Sequence, residues 1–212
     1  MYENEKKAVL EAALEIKSNH LVALCGGNIS VRLPDNTFLV TPSGMVYENM
    51  VPEDVVRVDE NGKVVEGTRK PSSDTPALLY IFKHMPWVNA VIHTHQPWAT
   101  AAGLVLDVLP ACLVTQIDAN RSDVYVAPFT PSGEQQMGAL TVEYAHDAWA
   151  VILKHHGVMS YGPTLKDALF SAVYLEESAQ TYMIARAVAP VPELDPELVA
   201  VEANSWNHYG QQ

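Results

Sequence analysis

Two short apolar segments that each end in histidine constrain this chain more than any other feature. Residues 90–92 lead into His93-Thr94-His95, and residues 149–153 lead to His155-His156-Gly157. Residues i and i+2 of a β-strand point to the same side of a sheet, so His93 and His95 are predicted to present two imidazoles side by side. A third imidazole from a neighbouring strand end would complete a site with three nitrogen ligands and an open position, as in catalytic zinc sites. The alternative is that these histidines are surface or hydrogen-bonded residues.

The remaining sequence alternates helical and strand patterns. Helices are predicted at 3–19, 75–84, 97–106, 133–146 and 165–188, from apolar positions at helical spacing. Strands are predicted at 29–33, 37–41, 55–58, 63–66, 90–92, 124–127 and 150–154. No repeat, low-complexity block or linker divides the chain, and its length suits one core. We therefore expect residues 1–212 to form a single α/β domain with a central, mainly antiparallel sheet flanked by helices on both faces.

Composition excludes several classes of function. The formal net charge of −12 argues against nucleic acid as the main partner, because phosphate backbones need a basic face. No run of 18 apolar residues predicts a membrane span, and the first residues lack the apolar region of a signal peptide. The two cysteines, Cys25 and Cys112, form no metal or redox pair motif, so the sequence favours a reducing cytoplasm.

Three short polar loops are candidates for holding a phosphate. They are rich in glycine and serine, and such loops let backbone N–H groups and hydroxyls approach an anion. Their sequences are Gly26-Gly27-Asn28-Ile29-Ser30, Thr41-Pro42-Ser43-Gly44 and Lys70-Pro71-Ser72-Ser73-Asp74. Each is also an ordinary turn sequence, and Ser73 and Asp74 are both good caps for the helix that follows.

Taken together, these segments resemble a known family. GGNIS, TPSG, KPSSD, VIHTH, KHHG and the terminal HYG occur in the order and approximate spacing of the class II aldolase/adducin family. The resemblance runs from about residue 5 to the C-terminus. That family contains zinc-dependent sugar-phosphate aldolases, among them the L-fuculose-1-phosphate aldolases, together with L-ribulose-5-phosphate 4-epimerases. Its fold is a single α/β domain, assembled as a homotetramer with active sites between subunits.

The resemblance implies a role for individual residues. The ligands of one Zn²⁺ would be His93, His95 and His156, with His155 as a neighbour and not a ligand. Asp74 would be the acid/base, able to coordinate the empty metal and to swing away from it. The phosphate of a small sugar substrate would be held by Gly27, Asn28, Ser43, Gly44, Ser72 and Ser73.

The implied chemistry agrees with these residue types. Breaking the C3–C4 bond of a ketose phosphate leaves an enediolate, which a divalent cation can stabilise as a Lewis acid. Three neutral histidines leave the charge of the cation undiminished, which suits that task better than thiolates would. Asp74 could then deliver or remove the proton at C3.

Some features of the sequence resemble the epimerases of the family and others resemble the aldolases. Ser72-Ser73-Asp74-Thr75-Pro76 and the tail with Tyr209 resemble the epimerases, and Asp118 stands where they carry a second acid/base. Chain length and the short stretch before His156 resemble the aldolases, although Val114 replaces the tyrosine of the fuculose-phosphate enzymes. Proton transfer to the aldehyde oxygen could then fall to Asp118 or Tyr209, and Asp118 could instead be a solvated loop carboxylate.

We predict the aldolase activity, that is, cleavage of a ketose phosphate in carbohydrate metabolism to dihydroxyacetone phosphate and an aldehyde such as L-lactaldehyde. The epimerase is the alternative. A non-catalytic, adducin-like interaction module is a remote third interpretation, because such members have lost the metal histidines and this chain keeps all three.

Overall fold

Seven helices and nine strands alternate along the part of the chain that the computed structural model describes, residues 1–205. The helices are α1 (Glu3–Ser18), α2 (Thr75–His84), α3 (Pro97–Val105), α4 (Val114–Asn120), α5 (Gln135–Tyr144), α6 (Leu165–Val188) and α7 (Pro196–Ser205). The strands are β1 (Asn28–Arg32), β2 (Phe38–Val40), β3 (Val56–Val58), β4 (Val64–Glu66), β5 (Ala90–Thr94), β6 (Val108–Leu109), β7 (Val124–Ala127), β8 (Ala150–Leu153) and β9 (Gly157–Gly162). Tyr209 lies outside the described residues.

All nine strands belong to one open sheet in the order β4-β3-β2-β1-β5-β9-β8-β7-β6. Every neighbouring pair is antiparallel except β7 and β8, which are parallel. The predicted fold class, an α/β domain with a mainly antiparallel central sheet, is therefore confirmed.

Helices cover both faces of the sheet, because successive side chains of its central strands point to opposite sides. On β5, Val91 packs in a core with residues of α2 and α5, whereas Ala90 and Ile92 pack in a second core with residues of α1 and α6. A third core joins α3 and α6 to β7, β8 and β9. None of the helices among residues 1–205 has both the length and the apolar character that a membrane crossing requires.

The sequence patterns located five of the seven α-helices and seven of the nine strands among residues 1–205. The predicted helices at 3–19, 75–84, 97–106, 133–146 and 165–188 all form, within a few residues. Strands β6 and β9 and helices α4 and α7 were not predicted. In α4 the buried positions include the polar residues Gln116 and Asn120, so no apolar period marks the helix. Asp118 therefore lies on a helix, and its placement in a loop is wrong.

Candidate metal centre and the loops around it

The three histidines of the sequence motifs converge at one end of the sheet. His93 lies on β5, whose Thr94 pairs with Val158 of the adjacent β9, and His156 lies in the tight connection between β8 and β9. Nε2 of His93 is 3.1 Å from Nε2 of His95 and 3.3 Å from Nε2 of His156. One ligand nitrogen from each ring lies within 4.8 Å of the other two.

Burial keeps this cluster neutral and fixes one of its rings. Nδ1 of His93 lies 2.9 Å from the carbonyl oxygen of Val158, which can only accept, so Nδ1 carries the proton and Nε2 keeps a free lone pair. Burial, followed by the neighbouring His95 and His156, lowers the pKa of His93 to about 3. The pKa values of His95 and His156 are also lowered, mainly because their imidazoles are partly desolvated, while the nearby charge of Asp74 acts in the opposite direction on both.

The residues present fit a divalent transition metal. Metal ligation needs neutral imidazoles with free lone pairs, and three of them in this arrangement leave coordination positions open for a substrate. The site is also accessible to solvent. His95 is exposed and His156 is half-buried, whereas His93 is buried. Its ligand set would be His93, His95 and His156, as the resemblance implied.

His155 stands apart from the converging nitrogens, although it precedes His156 directly. Its backbone is in the left-handed region, with φ of 61°, and its ring packs edge-on near Phe129 with 6.3 Å between centroids. The tight turn thus directs two consecutive histidines to different places.

Glycines bring the backbone close to the histidines. A Cβ at Gly157 would lie 2.1 Å from the carbonyl oxygen of Thr94, and a Cβ at Gly27 would lie 2.5 Å from that of His93. Real Cβ atoms do not approach so closely, so the glycines of the HHG and GGN motifs allow the segments around the site to pack together. The positive φ of Gly27, 73°, adds a second reason for glycine there.

Asp74 directs its carboxylate toward the site and does not cap the helix that it precedes. It is the N-cap residue of α2, yet its side chain makes no capping hydrogen bond. Instead, Oδ2 accepts a hydrogen bond from Nδ2 of Asn28 at 2.7 Å and Oδ1 accepts one from the backbone N–H of Gly133 at 3.0 Å. The interpretation of the Asp74 side chain as a helix cap is therefore wrong.

The three polar loops meet beside this carboxylate. The hydroxyl of Thr41 accepts from the N–H of Ile29, and the carbonyl oxygen of Thr41 accepts from the N–H of Ser72. An isolated bridge joins Pro42 to Pro71. Hydrogen bonds thus join the three loops, each of which is an ordinary turn sequence when taken alone.

The loop residues differ in their access to solvent. Ser43, Gly44 and Ser73 are exposed, Gly27 is half-buried, and Asn28 and Ser72 are buried. The Ser72 hydroxyl already accepts from the N–H of Asp74 at 3.2 Å. Open space surrounds Gly44, whose φ is 72°. An anion could therefore approach the exposed members directly.

Asp118 does not join this cluster within a single chain. Its charged neighbours are Arg121 and Glu202, and among the described residues no hydrogen bond connects it to the histidines. Burial, and secondarily the charge of Glu202, raises the pKa of Asp118, and its buried Oδ1 has no hydrogen-bond partner within residues 1–205.

Sequence reasoning missed Gly133. It lies in Pro131-Ser132-Gly133, an ordinary turn sequence between β7 and α5, and only its backbone N–H takes part in the site. Backbone donors leave no residue-type signal, although a glycine with φ of 78° marks the turn that presents this one.

Comparison with known proteins gives consistent matches along nearly the whole chain. Residues 7–183 match the class II aldolase and adducin N-terminal domain. The L-fuculose phosphate aldolase of Escherichia coli strain K12 is 30% identical over 205 residues, which cover 96% of this chain and 94% of that protein.

Solved structures show the same similarity. A structure of L-fuculose 1-phosphate aldolase superposes with a TM-score of 0.90 at 27% identity, covering 95% of both chains. The L-fuculose-1-phosphate aldolase from Thermus thermophilus superposes with a TM-score of 0.75 at 24% identity, covering 88% of this chain and 97% of that one. The second match supports the fold alone.

Proposed function

The chain belongs to the class II aldolase and adducin family, and from this premise we propose that it is a zinc-dependent sugar-phosphate aldolase. The substrate would be a ketose 1-phosphate such as L-fuculose 1-phosphate, cleaved to dihydroxyacetone phosphate and an aldehyde such as L-lactaldehyde. The observation that carries the proposal is the convergence of His93, His95 and His156 near the carboxylate of Asp74, where three polar loops rich in glycine and serine also meet. The names of its relatives support a phosphorylated sugar as substrate.

The histidines would hold the metal and the neighbouring loops the substrate. A divalent cation bound by the three imidazoles would supply Lewis-acid stabilisation of the negative charge that develops on the ketose oxygens. The exposed loop positions at Ser43, Gly44 and Ser73 would bind the phosphate through hydroxyls and backbone N–H groups. The less exposed members of the set would line the inner side of the phosphate site: Gly27, which is half-buried, and Asn28 and Ser72, which are buried.

Asp74 would handle the proton at C3. Cleavage removes the proton of the C4 hydroxyl, breaks the C3–C4 bond and leaves the electron pair on the C2–C3 unit, which is then protonated at C3. Asp74 is 7% exposed and held by two N–H donors, so its carboxylate has one defined orientation for this transfer. Tyr209 or Asp118 would manage the proton of the C4 oxygen.

We also propose a homotetramer with active sites between subunits. Phe129 supports this assembly, because its side chain is 62% exposed in the single chain although it lies beside His155, the residue that precedes the proposed ligand His156. Asp118, which makes no hydrogen bond to the histidines of its own chain within the described residues, would then act at the site of a neighbouring subunit. Free thiols at Cys25 and Cys112 support a cytoplasmic location.

The direct test is an assay of the zinc-loaded protein with L-fuculose 1-phosphate, following dihydroxyacetone phosphate. Unphosphorylated L-fuculose serves as the matched control for the phosphate loops and should be processed far less efficiently. Equal turnover of both sugars would leave the loops a structural role. A purified protein with neither bound metal nor activity would instead support the adducin-like module.

The epimerase remains the second candidate because of Asp118 and the Ser-Ser-Asp-Thr-Pro motif at 72–76. An epimerase needs acid/base groups on both faces of the rotating aldehyde, so Asp118 and Tyr209 would both be required. For the aldolase we expect Tyr209→Phe to impair cleavage more than Asp118→Asn. Efficient conversion of L-ribulose 5-phosphate to D-xylulose 5-phosphate, abolished by Asp118→Asn, would establish the epimerase in its place.

A further inference from the structure

Arg121 ends helix α4 in a backbone conformation that residues with a side chain seldom adopt. Its φ is 72° and its ψ is −28°, in the left-handed region where glycine is the usual residue at a helix end. A β-carbon makes this conformation unfavourable, so a bulky residue persists there only where its surroundings compensate. The contacts of the guanidinium therefore indicate what this residue does.

The guanidinium of Arg121 lies between a tryptophan ring and a carbonyl oxygen of the C-terminal helix. Its Cζ is 4.2 Å from the centroid of the Trp149 ring, and Nη1 donates to the carbonyl oxygen of Ala203 at 2.7 Å. Trp149 is itself held by backbone hydrogen bonds, since its N–H donates to Asn120 and its carbonyl oxygen accepts from the N–H of Tyr161. The ring therefore gives the cation a fixed partner.

Helix α7 buries none of its own side chains. Leu198 and Val201 are 62% and 68% exposed, and no other residue of 196–205 is buried either. A helix of this length is marginal in water by itself, so its stability has to come from the elements against which it packs. The carbonyl of Ala203 belongs to the last turn, where carbonyls have no partner within the helix and a cation interacts favourably with the helix dipole.

The charges around Arg121 fit a contact between helices better than a binding site for an anion. Burial lowers the pKa of the guanidinium, and the carboxylates of Asp118 and Asp167 act in the opposite direction. The pKa of Asp118 is raised by burial and then by Glu202 of α7, whereas Arg121 lowers it. Arg121 therefore offsets the repulsion between carboxylates of α4 and α7. Its Nε has no hydrogen-bond partner within residues 1–205 and is buried, so an anion from solvent does not reach it.

We propose that Arg121 anchors the C-terminal helix α7 to α4 and is a positioning residue for the C-terminal part of the chain. Ser205 ends α7, and Tyr209 follows soon after it in the sequence. The proposed function gives Asp118 or Tyr209 the proton transfer at the C4 oxygen, so the catalytic consequence of the anchor rests on that function. The anchor itself can be tested without any activity.

Amide hydrogen exchange of the full-length protein measures the docking of α7, because the helix alone would protect its amides little. The main variant is Arg121→Gly, which removes the side chain and suits the left-handed backbone, so the domain should keep its unfolding temperature. We expect the amides of residues 196–205 to exchange roughly tenfold faster, as follows from the loss of a hydrogen bond to a charged group. Those of β5, β8 and β9 should keep their wild-type rates. Unchanged exchange in α7 would refute the anchor.

The matched control for charge is Arg186→Ala. Arg186 is an exposed arginine in the last turn of α6, and its loss should leave the exchange of α7 unchanged. If this variant speeds the exchange of α7 as much as Arg121→Gly does, the effect is one of net charge and the anchor is refuted.

A double-mutant cycle tests the part of Trp149. Trp149→Leu, which keeps an apolar side chain, should also speed the exchange of α7. Adding Arg121→Gly should then cost little more, because the ring and the cation act as one unit. Effects that multiply in full would show that the ring does not hold the cation in its anchoring position.

The kinetic test compares Arg121→Gly and Arg121→Lys with the wild type on L-fuculose 1-phosphate. We expect kcat to fall roughly tenfold or more in Arg121→Gly, since misplacing a catalytic group by about 1 Å can cost ~10²-fold. Arg121→Lys should lose less, because it keeps a cation that can donate to Ala203. The KM, inhibition by inorganic phosphate and zinc content should stay close to wild type. A raised KM and weakened phosphate inhibition with unchanged kcat would make Arg121 a substrate ligand and overturn the positioning role.

The anchor and the proposed function fail on different measurements. If the wild-type protein cleaves no ketose phosphate, the proposed function fails while hydrogen exchange still tests the anchor. If Arg121→Gly releases α7 and keeps the kcat of the wild type, the positioning role of Arg121 is refuted.

Discussion

His93 is 1% exposed, so burial keeps its ring neutral, and its hydrogen bond to the carbonyl of Val158 selects the tautomer. Removing water disfavours the imidazolium form, and the carbonyl of Val158 takes the proton on Nδ1. The ring is therefore prepared as a neutral ligand before any metal arrives. The free energy of unfolding therefore depends on pH, because the pKa of His93 is lowered only in the folded protein.

The three-histidine centre predicts which single substitutions remove the metal. Zinc analysis should find one equivalent in the wild type and in His155→Ala, and loss of stoichiometric zinc in His95→Ala and His156→Ala. His155→Ala is the matched control, since it removes the same side chain from the adjacent position. If His156→Ala keeps its zinc and His155→Ala loses it, the third ligand is His155 and not His156.

The lowered pKa of His93 predicts that the metal-free protein loses stability as the pH falls. Between about 6.5, where an unfolded histidine takes up its proton, and about 3, where folded His93 does so, the unfolded state binds more protons. At pH 5 the free energy of unfolding should be lower than at pH 7 by about 2 kcal/mol from this group. Urea unfolding of chelator-treated wild type and His93→Asn measures it, and the variant should show a weaker pH dependence. Equal pH dependence in both proteins would contradict the assignment.

At the scale of elements, helix α3 begins without a cap from its own sequence. Its N-cap residue, Gln96, makes no side-chain capping bond. Glu176, from the middle of α6, accepts the N–H of Trp98 at 2.8 Å and that of Ala99 at 3.0 Å. A carboxylate at a helix N-terminus also interacts favourably with the helix dipole. One helix thus completes the first turn of another.

Glu176→Ala should therefore destabilise the fold more than an ordinary surface substitution. Two backbone N–H groups would lose their acceptor. A hydrogen bond to a charged group typically contributes about 1.5–3 kcal/mol to stability. We expect a loss of about 1–3 kcal/mol in the free energy of unfolding, measured by urea titration. Glu177→Ala, at the exposed neighbouring position, should be nearly neutral. Similar losses in both variants would mean that the cap contributes nothing specific.

At the scale of the whole molecule, a single sheet sets the relative positions of the histidines and of Asn28. The histidines come from β5 and from the connection between β8 and β9, and Asn28 comes from β1 on the other side of β5. Helices on both faces bury the strands, so the histidines rest on regular, well-packed secondary structure, which positions side chains more precisely than loops do. Phe129 remains exposed beside it in the isolated chain.

The proposed assembly predicts the mass in solution. Light scattering on the eluted protein should give about four times the 23.3 kDa of the chain. Phe129→Ala should weaken the assembly if a neighbouring subunit covers this side chain. The control is Leu198→Ala, which removes an equally exposed apolar side chain from α7. A monomer with full activity would show that one chain contains the complete site.

The amino-acid sequence alone predicted the local elements and two of the three converging histidines. Period-two spacing puts His93 and His95 on one face of a strand whatever that strand pairs with. Apolar periodicity likewise located five of the seven α-helices among residues 1–205. The choice of His156 over His155 came from the family resemblance, because spacing cannot tell which of two adjacent turn residues faces a partner strand.

Tertiary structure decided what depends on contacts between distant segments. The position of β9 between β5 and β8 brings His156 to His93, and that strand has no clear pattern of its own. The partners of Asp74 are 46 and 59 residues away in sequence, and one of them is a backbone N–H. Local propensity acts over a few residues, whereas these partners are selected by the packing of one sheet, so only the folded chain reveals that Asp74 is held in the site.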